Sequence, residues 1–140
     1  MSRIVELWRQ GEVPAFSGLY RADDSARYVE TDGPALTYFR VGKPFDLAER
    51  LAEEPDYLAE IDESARAALP DGRGQVCCGE GPLGSQGFFA RLGTDGELVW
   101  VVFLDNGNPF YEVAVDGSRV TFTNNLGRSV TVDLTDEFYM

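Results

Sequence analysis

The chain has 140 residues, a size at which a single domain buries enough surface to fold without a metal or disulfide. It carries a net charge of −12, with 24 acids against 12 bases and no histidine. That balance excludes nucleic acid and anionic lipid as partners, because both are bound by Lys and Arg neutralising phosphate.

The first residues contain no apolar stretch followed by a small-residue cleavage site, so no secretory signal is expected. Ser2 is placed to cap a short helix carrying Ile4, Val5 and Trp8 on one face, ending near Gly11. Residues 13–26 hold Pro14, Gly18 and Asp23-Asp24-Ser25, and read as mostly irregular. Two strands, Arg27–Thr31 and Leu36–Val41, are expected around an Asp32-Gly33 turn.

Asp46 and Glu49 fit a capping box, with Leu47, Ala48 and Leu51 on the face that follows. Pro55 ends this helix or opens the next. The next helix places Leu58, Ile61, Ala65, Ala68 and Leu69 three and four residues apart, and Pro70-Asp71-Gly72 stops it.

From Gly74 onward the period becomes two. Gln75–Cys78, Gly87–Leu92, Leu98–Leu104, Phe110–Val115, Arg119–Asn124 and Ser129–Leu134 read as strands joined by short turns, and therefore as antiparallel neighbours. Tyr111, Val113 and Val115 are assigned to the dry face of this sheet. Leu98–Leu104 is apolar on both faces, which predicts a central strand covered on one side by the N-terminal segment. The alternative is an apolar patch that meets a partner or a second copy of the chain. The expected fold is a single α+β domain over residues 1–140. Its C-terminal half is an antiparallel β-meander of about five to six strands, packed on two to three helices from the N-terminal half.

Most familiar catalytic devices lack their parts. Without histidine there is no Ser-His or Cys-His nucleophile pair and no His-ligated zinc or haem. The single lysine, Lys43, lies outside any phosphate-binding loop motif. Gly79-Glu80-Gly81-Pro82-Leu83-Gly84 matches a dinucleotide fingerprint in letters, but a strand is expected after it where a helix is needed. Adjacent Cys77 and Cys78 should point to opposite faces of a strand, one in the core and one exposed; Glu80 nearby disfavours a reactive thiolate, and a reducing cytoplasm is the expected compartment. No catalytic residue, cofactor or metal ligand is assigned.

Residues 46–63 hold eight acids and one base, Arg50. The plain reading is a solvated face that keeps the chain soluble. Acids four apart on a helix repel, however, so local stability does not favour the pattern. A basic protein partner is the functional reading, with Glu49, Glu53, Glu54, Asp56, Glu60, Asp62 and Glu63 as its contacts. In size, charge and expected helix-plus-meander layout the chain resembles the small acidic immunity proteins with which bacteria neutralise basic toxin domains. That resemblance implies a non-catalytic, cytoplasmic binding domain. Two other readings remain: a small enzyme using carboxylates, and a homo-oligomeric domain pairing through Leu98–Leu104.

Overall fold

A computed structural model describes all residues, 1–140. It corrects the expected class: the chain is mostly β, with twelve strands and two short α-helices. The strands form three antiparallel sheets. Seven of them, in the order β4-β3-β2-β9-β8-β7-β6, make the large sheet. These are β2 (Gly18–Arg21), β3 (Ala26–Thr31), β4 (Phe39–Phe45), β6 (Asp62–Ala68), β7 (Gln75–Glu80), β8 (Gly87–Leu92) and β9 (Leu98–Leu104). The C-terminal meander is a separate sheet of only three strands, β10 (Phe110–Asp116), β11 (Arg119–Asn124) and β12 (Ser129–Asp133). A two-stranded pair joins β1 (Glu12–Pro14) to β5 (Leu58–Glu60).

Two cores lie on opposite faces of the large sheet. On one face Leu19, Val76, Cys78, Phe89, Trp100 and Val102 meet Phe110, Val120, Phe122, Val130 and Val132 of the meander. Phe89 stacks on Phe122 with ring centroids 4.5 Å apart. On the other face Tyr20, Cys77, Phe88, Val101 and Phe103 meet Ile4 and Leu7 of α1 (Arg3–Arg9), Leu47 and Leu51 of α2 (Leu47–Glu53), and Val13 and Ala59 of the small pair. The helices therefore pack on the face away from the meander, not against it. Both faces of β9 are covered by the chain itself, as a central strand requires: Trp100, Val101, Val102 and Phe103 are each fully buried. This removes β9 as a surface for a second copy.

The expected first helix is present, with the Ser2 hydroxyl accepting from the Val5 amide. Asp46 caps α2 through the Glu49 amide, although Ala48 is exposed. The expected helix through Ile61 and Ala68 is absent; that segment is β5 and β6. Residues read as irregular form β1 and β2. The link from β3 to β4 is not a two-residue hairpin but a longer loop with a 3-10 turn at Gly33–Ala35. Two of the four bulges move side chains off the faces the sequence predicts. One sets Leu98 with the helix-side core instead of beside Trp100, and the other leaves Tyr111 exposed.

One close approach shapes the sheet's end. A Cβ on Gly79 would be driven into the backbone carbonyl of Asp62 on β6. Gly79→Ala should therefore destabilise the fold by about 2 kcal/mol or more, as overpacking does, whereas Glu53→Ala should cost under about 0.5 kcal/mol. Urea unfolding of the two variants measures this directly.

Candidate functional site

All seven acids expected at a partner surface are exposed. Glu49 and Glu53 project from α2, Glu54 is its C-cap, and Asp56 lies in the turn before β5. Glu60 ends β5, while Asp62 and Glu63 open β6. The acids after Pro55 thus lie on extended backbone. Their repulsion is set by pairing across strands rather than by helical spacing.

That pairing brings in two acids the sequence reading did not assign. Glu12 on β1 lies directly opposite Glu60, and Glu80 on β7 lies directly opposite Asp62. Directly opposed residues in an antiparallel pair hold their Cβ atoms about 5 Å apart, and like charges there are destabilising. Only Ile61 separates the two pairs along the chain. No local pattern could have found Glu12 or Glu80, because their partners lie far away in sequence.

The cations nearby do little to neutralise this ribbon. Arg66 makes a forked pair with Glu63, at 2.5 and 2.9 Å. Arg50, the one base in the acidic segment, turns away: its guanidinium lies 4.2 Å from the Phe16 ring centroid and contributes a cation–π contact. Among 24 acids only Glu63 and Glu97 are ion-paired.

Two exposed aromatic rings flank the ribbon. Tyr57, next to Asp56, stacks on Phe16 with centroids 5.8 Å apart. Tyr111 donates its hydroxyl to Glu80 at 3.3 Å. Both rings are about half exposed, at 47% and 48%. The arrangement is an acidic strip with fixed aromatic contacts and no cleft between carboxylates.

The other sequence features resolve as structure. Gly79–Gly84 is the end of β7 and the turn to β8, and no helix follows to receive a phosphate. Cys77 and Cys78 do face opposite sides, but both are fully buried rather than one being exposed. Burial, more than the Glu63 carboxylate, pushes both thiols up to about 12. No group of three or more histidine, cysteine or acidic side chains stands close enough to hold a metal ion. No helix is long and apolar enough to cross a membrane. None of the protein-family models, curated proteins or solved structures compared with this chain matches it.

Native thiols held neutral and out of solvent should resist alkylation. At pH about 8.5, where a free thiol is half ionised, iodoacetamide should label neither cysteine of the folded chain and both of the urea-unfolded chain, by mass spectrometry. The sign of the linkage is fixed as well. The thiol contribution to stability is complete below the unfolded pKa and declines as pH rises toward about 12.

Proposed function

We propose that the chain is a non-catalytic binding domain that docks a basic protein. The acidic strip running from the end of α2 through β5 to the start of β6 is its contact surface. The observation that carries this reading is the pair of directly opposed acids, Glu12 with Glu60 and Asp62 with Glu80, neither supplied with a cation. A fold gains nothing from such pairs, whereas a basic partner relieves both at once. Tyr57 and Tyr111 would supply the aromatic contacts on which binding energy concentrates. Acids on such a surface speed encounter with a basic partner over distances near the Debye length, about 8 Å at physiological salt.

Size and charge are what remain of the likeness to acidic immunity proteins, since the helix-plus-meander layout has been replaced. Neutralising a basic toxin domain is one task such a surface suits. Two free, buried thiols fit a reducing compartment such as the cytoplasm.

The immobilised chain should capture a basic protein in equimolar amount at low salt and release it at about 0.5 M salt, as screened charge pairs do. The triple variant Glu60→Lys, Asp62→Lys, Glu80→Lys should capture none of it while keeping its fold. Equal capture by the variant would overturn the proposal. The opposed pairs make a second, partner-free expectation. Glu60→Gln should raise stability by about 0.2–1 kcal/mol in low salt, and the gain should shrink as salt is added. Thermal unfolding across a salt series checks it.

A further inference from the structure

A second charged region lies on the meander side of the large sheet, and it is positive. Arg21 on β2 and Arg91 on β8 both lie opposite Trp100, so the three form a row across the sheet. Arg27 on β3 lies opposite Leu19, on the same face. The segment Phe138–Met140 runs over this row. The Trp100 indole and the Arg91 guanidinium both donate to the Tyr139 carbonyl, at 2.9 and 3.0 Å. Arg21 donates to the carbonyls of Phe138, at 2.5 Å, and of Met140.

None of these three arginines is ion-paired with an acidic side chain; the chain's two side-chain ion pairs lie elsewhere. In a protein with twice as many acids as bases, that is an unexpected place for unmatched cations. Carbonyl dipoles supply only partial charge. The Arg91 Nε is buried without any acceptor. Burial, followed by the neighbouring Arg73 and Arg21, lowers the Arg91 pKa, which is the response of a cation lacking an anion.

Beside this row is a cavity of about 380 Å³, lined by Leu19, Arg21, Ser25, Arg27, Pro44 and Phe138, with exposed Glu137 also on its wall. That volume falls in the range, about 300–1,000 Å³, that holds small ligands. Arg27 fixes its Nε on the Gly42 carbonyl at 2.9 Å and lays its guanidinium 5.0 Å from the Phe138 ring centroid. Its two terminal nitrogens make no hydrogen bond within the chain. Held flat and with those donors free, the guanidinium presents the planar fork that matches a carboxylate. Apart from Ser25, the remaining side chains on this face of the wall, Leu19, Pro44 and Phe138, are apolar.

We propose that this cavity binds a small organic carboxylate. Its charged end would meet the terminal nitrogens of Arg27, with Arg21 adding to the field. Its apolar body would lie against Leu19, Pro44 and Phe138. Glu137 is the opposing charge: it pairs with neither arginine, and it repels an incoming anion.

The test is a titration followed by amide NMR shifts, with benzoate as the probe and benzamide as its neutral isostere. Benzoate should give saturable shifts at Ser25, Arg27 and Phe138, and benzamide should give none. Arg27→Gln should weaken benzoate binding by about tenfold or more, as expected on losing a charged fork. Glu137→Gln, which removes only an exposed charge, should tighten it severalfold. The proposal fails if benzoate moves no resonance at about 20 mM, above the millimolar range of weak ligands, in either the wild type or Glu137→Gln. It also fails if benzamide titrates as well as benzoate, or if a folded Arg27→Gln binds undiminished. Inorganic phosphate binding as tightly as benzoate would sink it too, because the apolar walls would then contribute nothing.

Discussion

The rest of the structure depends on the burial of β9 on both faces. A strand that carries Trp100 and Val102 on one side and Val101 and Phe103 on the other leaves a large apolar area on whichever face stays open. The chain answers with a layer on each side. The three-stranded meander closes one face, and α1, α2 and the β1–β5 pair close the other. Neither cover is a large structure by itself. An isolated helix as short as α1 or α2 is unstable in water, so each exists because it packs on the sheet. Burying Trp100 also sets a polar demand, since its indole N–H must find an acceptor. The Tyr139 carbonyl meets that demand, and so ties the C-terminal segment across the sheet.

The strands from Gln75 onward were legible because each carries its own evidence: alternation of two, bounded by turn residues. Their boundaries match closely, and the two-sided apolar character of Leu98–Leu104 marks a central strand. What alternation did not show was which strands share a sheet. β7, β8 and β9 join β2, β3, β4 and β6, and only β10–β12 form the separate meander. The bulges are also hidden from the sequence, and two of the four change the face of a named side chain, Leu98 and Tyr111.

The error at residues 55–69 has a physical cause. Leu58, Ile61, Ala65, Ala68 and Leu69 fit a helical stripe, and alanine favours helix. The same residues also fit two strands. Ala65 and Ala67 alternate toward the meander-side core, and β10 runs close by. Pairing with β7 overrode local preference, as tertiary context commonly does. The change from helix to strand also changes the geometry of the acids. On helices their repulsion would be modest and local, whereas on strands it is set by Glu12 and Glu80, which no local pattern links to Glu60 and Asp62. The acidity of the segment is legible in the sequence; its geometry, and therefore its full membership, is not.

The acids stay unmatched because the cations are engaged elsewhere. Arg50 lies over Phe16, Arg27 over Phe138, Arg40 over Tyr38 and Lys43 over Tyr28. Arg21 and Arg91 hold backbone carbonyls of the C-terminal segment. Each contact satisfies a guanidinium or ammonium without neutralising it, since a ring face or a carbonyl carries no net charge. The result is separation of charge. Arg21, Arg27 and Arg91 gather beside the meander-side core, where they hold the chain's last turn of backbone in place, and negative groups are left along β5 and β6 at the surface. Had Arg50 reached Glu53 or Glu54 instead, the acidic strip would lose part of its field and Phe16 would lose the cation that covers it. Aromatic and carbonyl contacts to cations therefore do two things at once in this fold. They pack its edges, and they leave an acidic surface and a basic cavity each free to meet a charge from outside.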